Sequence, residues 1–242
     1  MLKMIYKPVG ITPYELTLKI KEKYPNIKKI SYVYRLDPMA HGEILILTDE
    51  ECKLTNYYVK LKTYKIYEFS VLFGVKTDTL DILGNILENN IKNYDLNLIL
   101  KKKNNLTGEY FQEFPIFSSK TINYKGKMTP LWKLKNQIKN IKIPKKRINV
   151  EYIKYINHNV YSKNKILKLI IQRLNLVTSK NFNTKDFIKQ WKLIKNNKYL
   201  VVDFKAKVSS GTYIREISNQ LGKLCNYNSI NLNIFRKNIL LL

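Results

Sequence analysis

Cysteine, histidine, glycine, proline and arginine are all scarce in this 242-residue chain, and each scarcity excludes something. The two cysteines, Cys52 and Cys225, are far apart and fit no metal-ligand spacing. Two are too few for a disulfide framework, so both are read as reduced thiols of a cytoplasmic protein. The two histidines, His41 and His158, cannot build a zinc centre by themselves, and no metal is expected. No apolar run approaches the roughly 18 residues of a membrane span. The N-terminus MLKMIYKPVG has neither a signal-peptide nor a transit-peptide pattern. Repeats and low-complexity linkers are absent, so one domain over residues 1–242 is expected. Acidic residues are outnumbered, 18 against 44 basic ones, which leaves a net charge of +26.

Such a charge favours polyanions, nucleic acid first among them. It has a second reading. Only Arg35, Arg147, Arg173, Arg215 and Arg236 are arginines, and the richness in Lys, Asn, Ile and Tyr is what an AT-rich genome writes into any protein. The scarcity makes each arginine more informative, because Lys supplies a point charge where Arg supplies a fixed fork for a carboxylate. Hydrophobic residues make up 45% of the chain, enough for a folded core.

LKMIYKPVG reads as a strand entering a turn. Thr12-Pro13-Tyr14-Glu15 is a helix start with a capping box, and that helix is expected to reach about Tyr24. Residues 43–48 and 64–74 read as strands, separated by an amphipathic helical stretch. A helix is expected around 95–103, extended structure after it, and a helix again in TPLWKLKNQIKN. INVEYIKYI and YLVVDFKAKVS read as strands. Between them, residues 161–199 alternate strand-like KILKLIIQRL with helix-like TKDFIKQWKLIK. GTYIREISNQLG reads as a helix ended by Gly222, and NLNIFRKNIL as a closing strand. The pattern lacks regular βαβ alternation, so the expected class is α+β, with a central, largely antiparallel mixed sheet flanked by helices.

Six segments stand out in order: KPVG (7–10), RLDPMAHG (35–42), LKTY (61–64), FGVKTDTLDILG (73–84), FPIFSSKTINYKG (114–126) and VSSGTYIREISNQLG (208–222). In this order and spacing they resemble the TruB-type tRNA pseudouridine-55 synthase family over about residues 3–238. The resemblance implies a pseudouridine synthase catalytic domain that isomerises a T-loop uridine without cofactor or metal. It implies Asp37 as nucleophile. An isolated Asp-Pro would read as a turn cap, whereas here Pro38 and Gly42 shape a loop around a reactive carboxylate. Arg215 matches the arginine that pairs with that aspartate, and Tyr64 the tyrosine that stacks on the base. Tyr32, Tyr213, Phe235 and Lys7 match substrate-binding positions, Phe235 with a one-residue ambiguity. The segment at about 106–140 resembles an RNA-binding thumb. Lys120, Lys125 and Lys127 there meet phosphates or simply face solvent.

The chain departs from the family at Ser31-Tyr32-Val33-Tyr34, where the family has Gly-His-x-Gly. Tyr34 in place of glycine predicts a changed loop path if that glycine has positive φ. The sequence given ends at Leu242, soon after Arg215, and the family's C-terminal PUA module is not expected in it. The Lys-rich insertion at about 161–199 is expected to compensate by gripping RNA. The partner expected is the T-arm stem-loop of tRNA, bound by a monomer. Two other readings stay open: a weakly catalytic or inactive tRNA-folding chaperone on the same scaffold, and a generic basic RNA-binding protein. The trio Asp37, Tyr64 and Arg215 favours the enzyme, since binding alone does not require it.

Overall fold

A computed structural model describes residues 3–90, 93–179 and 181–241. The strands are β1 (Lys3–Lys7), β2 (Ile30–Val33), β3 (Ala40–Thr48), β4 (Thr63–Phe73), β5 (Val75–Thr77), β6 (Ile86–Asn89), β7 (Gly108–Glu113), β8 (Thr121–Tyr124), β9 (Lys127–Pro130), β10 (Lys145–Ser162), β11 (Lys198–Ser209) and β12 (Ser229–Leu241). The helices are α1 (Pro13–Lys23), α2 (Thr55–Lys60), α3 (Leu96–Lys102), α4 (Lys163–Leu174), α5 (Thr184–Lys192) and α6 (Ile214–Leu224). An eight-stranded sheet runs β1-β3-β12-β4-β11-β10-β7, with β2 also on β3. Every pairing in it is antiparallel except β12 with β3. The α+β expectation is therefore borne out.

The N-terminal helix forms where its capping box predicts. The Glu15 N–H donates to the Thr12 hydroxyl at 3.1 Å, and the Thr12 N–H donates to the Glu15 carboxylate at 2.7 Å. Thr12→Ala is expected to cost about 1 kcal/mol in a urea unfolding titration. An unchanged midpoint would mean that tertiary packing alone sets this helix start.

Two expectations about local structure need correction. Residues 165–174 are helical, not strand-like. Ser162 accepts from the Lys165 N–H at 3.3 Å, and Ile166, Ile170 and Leu174 recur at helical spacing on the buried face. Burial of that stripe outweighs the strand preference of Ile166, Ile170 and Ile171. The helix expected in TPLWKLKNQIKN is present over Leu131–Asn140, as a 3-10 helix. Gly222 lies inside α6 instead of ending it. An added Cβ there would sit 2.2 Å from the Ser229 hydroxyl, so Gly222 permits the start of β12 to close on the helix. The reversal after α6 falls to Asn226, at φ 57°.

Two cores flank the sheet. One packs Tyr67, Phe69, Val71 and Phe73 of β4 against Ile214, Ile217 and Leu221 of α6. The other packs Leu72, Val201 and Ile230 against α4, α5 and the β5–β6 hairpin. The apolar faces of α4 and α5, within the segment 161–199, thus fill a core. Ile166, Ile170, Leu174 and Trp191 are all fully buried, which a surface appendage would not show.

Candidate active site

The sequence brings Asp37 to the surface on the loop between β2 and β3, and three buried cations hold that loop. The Ala40 N–H donates to the Asp37 carbonyl at 3.1 Å, closing a turn around Pro38. Arg236, fully buried on β12, donates to the carbonyls of Glu43 at 2.7 Å, Arg35 at 3.1 Å and Tyr34. Lys7, also fully buried, donates to Ile11 O at 2.7 Å, Pro8 O at 2.9 Å and Pro38 O at 3.4 Å. Burial pushes the Lys7 ammonium down to about 7, opposed by the charge of Asp37. Its donors are spent on carbonyls, so the structure gives Lys7 no face for a phosphate; it fixes the 8–11 turn against Pro38.

The third cation is Arg215, in the first turn of α6. Its Nε donates to Asp37 Oδ2 at 2.8 Å and its Nη2 to Oδ1 at 3.1 Å, a bidentate pair. The remaining donors go to the carbonyls of Thr79 and, at 3.1 Å, Phe117. The Arg215 side chain is 3% exposed and that of Asp37 33%. The guanidinium therefore orients the carboxylate from below and leaves it open above. Against the penalty of burial, Asp37 and then Asp81 hold Arg215 charged, above its ordinary value.

Asp81 is the residue that sequence reasoning missed. It is 5% exposed and its Oδ2 lies 3.9 Å from Arg215 Nε. Its Oδ1 accepts from the Thr79 hydroxyl at 2.7 Å and the Leu83 N–H at 2.9 Å. Burial raises its pKa, Arg215 opposes the rise and Asp37 adds to it. One guanidinium thus serves two carboxylates. The signal was present in TDTLDILG, where an acidic residue is flanked by Leu80 and Ile82.

Tyr213 stands at the N-cap position of α6, two residues before Arg215. Burial, and then the charge of Asp37, raise its phenol. Its backbone is clamped by the buried Gln112 amide, through the Tyr213 N–H at 2.8 Å and its carbonyl at 3.2 Å. Its ring meets Phe114 edge-on at 5.7 Å.

Two expected residues lie on the wrong face of the sheet. Side chains alternate along a strand. On β4 the buried set is Thr63, Lys65, Tyr67, Phe69 and Val71, so Tyr64 points the other way, accepting from the Asn149 amide at 3.0 Å beneath Lys207. Tyr67, three residues on, shares a core cluster with Leu36, Ala40 and Ile214, and its hydroxyl lies 3.4 Å from Arg236 Nη1. On β12, Phe235 stacks on His41 at 4.9 Å with the rings 12° apart. Its neighbour Ile234 faces Leu36 and Tyr67. Tyr32 lies under Arg35 and packs beside Leu16 and Ile46, with no hydrogen bond or ring contact to Asp37.

The loop path at Tyr34 keeps a left-handed turn in spite of the side chain, at φ 60°. That conformation costs a non-glycine residue roughly 1 kcal/mol. The Tyr34 hydroxyl donates to Tyr58 O at 2.9 Å, and Lys65 Nζ sits 4.7 Å from its ring centroid, contacts that offset the strain.

No helix among the described residues is long and apolar enough to cross a membrane. Known proteins resemble the chain in both sequence and fold. It is 31% identical to the tRNA pseudouridine synthase B of Mycoplasmopsis pulmonis over 92% of its own length and 62% of that protein's. It is 28% identical to the enzyme of the same name from Caldicellulosiruptor saccharolyticus, over 91% and 60%. The chain therefore spans about three fifths of the length of these relatives. Its fold matches that in a Cbf5-Nop10-Gar1 complex with a TM-score of 0.58 at 16% identity, covering 98% of this chain and 48% of that one. It also matches an H/ACA RNP bound to a substrate RNA containing 2'-deoxyuridine, with a TM-score of 0.55 at 15% identity, covering 98% and 46%. The pattern of the TruB family pseudouridylate synthase N-terminal domain spans residues 21–174, and with it the chain belongs to the TruB family.

Proposed function

We propose that the chain is a tRNA pseudouridine synthase that isomerises the T-loop uridine at position 55, with Asp37 as nucleophile. The observation that carries this is the bidentate pair in which a buried Arg215 orients a partly exposed Asp37. In the reaction the N1–C1′ bond breaks, the base turns, and a C5–C1′ bond forms. C5 loses a proton and N1 gains one, so the chemistry balances without redox change or co-reactant. The Asp37 carboxylate forms the covalent adduct that divides this into two easier steps. Arg215 holds the carboxylate in a fixed orientation through the bidentate pair.

The tyrosine role that the resemblance assigned to Tyr64 passes to Tyr67, and that of Phe235 to Ile234, because these side chains share the face of Leu36 and Ile214. Tyr67→Phe is expected to lower kcat by about a hundredfold, the usual scale for losing an acid–base group. Tyr64→Phe is expected to stay within about threefold of the unaltered protein. The reverse ranking in single-turnover kinetics would return the role to Tyr64.

The T-loop uridine must be flipped out of its stack, at a few kcal/mol. The β8–β9 hairpin, with Lys120, Lys125 and Lys127 near it, supplies a basic thumb for the T-arm, and the protein acts as a cytoplasmic monomer. The test is tritium release from a T-arm stem-loop labelled at uridine C5. Stoichiometric release supports the reading. Tight binding with no release would favour the RNA-folding alternative that the departure at residues 31–34 raises.

A further inference from the structure

The segment expected to grip RNA touches the catalytic loops from behind. We infer that the segment between β10 and β11, described at residues 163–179 and 181–197 within the insertion expected at about 161–199, is a brace for the two active-site carboxylates, with Arg173 and Trp191 as positioning residues. The inference rests on the pseudouridine synthase reading above.

The geometry connects the insertion to each segment of the site. Arg173, in the last turn of α4, donates from Nη2 to the Met39 carbonyl at 3.2 Å, two residues after Asp37. Just beyond α4, the Thr178 N–H donates to the Gly10 carbonyl at 3.2 Å. The Leu176 carbonyl oxygen lies so close to Gly10 that an added Cβ would meet it at 2.0 Å. The Gly10 N–H in turn donates to Pro38 O at 2.9 Å, so this contact reaches the residue after the nucleophile. From α5, the fully buried Trp191 donates from Nε1 to the Ile82 carbonyl at 3.1 Å, one residue after Asp81. Gln190 accepts from the Ile86 N–H at 3.0 Å, pinning the far end of the same loop. Met39, Ile82 and Leu83 share one apolar cluster with Ile166, Ile170, Leu174 and Trp191.

These contacts converge on the carbonyls that flank the two carboxylates bound by Arg215. A displacement of about 1 Å at a reacting group costs up to 100-fold in rate, so a brace acts on kcat. A gripping element contributes uniform binding and acts on KM. The two roles therefore separate in kinetics.

The experiment compares Arg173→Met, Arg173→Lys and Trp191→Phe with the unaltered chain, each well below its own Tm. The readouts are kcat and KM on T-arm RNA at two salt concentrations, and amide hydrogen exchange of residues 36–42 and 79–84 without RNA. The brace predicts that Arg173→Met lowers kcat about tenfold, with KM and salt slope unchanged. Arg173→Lys, which keeps a donor, recovers most of the rate. Exchange speeds up at residues 36–42 in Arg173→Met and at 79–84 in Trp191→Phe. A raised KM with a flattened salt slope and unchanged kcat would overturn the inference in favour of RNA gripping. Unchanged exchange would overturn it as well. If the unaltered chain makes no pseudouridine, the functional reading fails while the exchange data still decide whether the brace exists.

Discussion

Asp37→Asn is expected to form no detectable pseudouridine while binding T-arm RNA within about threefold of the unaltered chain. The change removes the nucleophile and keeps its shape and volume, so the loss falls on kcat and not on the ground-state complex. The fold should tolerate it. Arg215 keeps Asp81 at 3.9 Å as a counter-charge and the carbonyls of Thr79 and Phe117 as acceptors, so no buried guanidinium is left unpaired. Single-turnover kinetics and a filter-binding titration measure the two halves. Measurable turnover in Asp37→Asn would remove Asp37 from the nucleophile role. A large loss of affinity would mean that the carboxylate organises the RNA site as well as the chemistry.

Replacing residues 163–197 by a short turn is expected to destroy the fold. An RNA grip at about residues 161–199, as the sequence suggests, would on removal raise KM and leave kcat nearly intact. The structure predicts otherwise, because Ile166, Ile170, Leu174, Trp191 and Ile194 are all buried. Removing one large apolar side chain from a core costs about 2–5 kcal/mol, and a whole domain has a stability of only about 5–15 kcal/mol. Loss of five such residues exceeds that margin. Thermal unfolding by circular dichroism should show no cooperative transition for the deletion variant. A folded, active deletion variant would show that the second core is dispensable.

The fold class, the helix start at Thr12 and the pairing of Arg215 with Asp37 are legible in the sequence because they depend on local chemistry or on ordered motifs. Two of the departures turn on which face of a strand a residue occupies. Tyr64 and Tyr67 differ by three positions on one strand, so only one of them faces Leu36 and Ile214, and composition does not distinguish them. Phe235 and Ile234 differ by one, with the same consequence. Lys7, matched by resemblance to a substrate-binding position, is buried with its ammonium surrounded by carbonyls. KILKLIIQRL carries three isoleucines, which favour a strand, and a helical stripe at once, and tertiary burial decides between them. Asp81 stayed hidden because its partner, Arg215, lies far along the chain and is already matched to Asp37.

The most direct test of the central claim is to map pseudouridine in an unmodified tRNA transcript after incubation with the purified chain. A chemical adduct that stops reverse transcription at pseudouridine locates the product. One new stop at T-loop position 55, absent with Asp37→Asn, is the result expected. No stop under conditions where the RNA is bound, or a stop that persists with Asp37→Asn, would contradict the account.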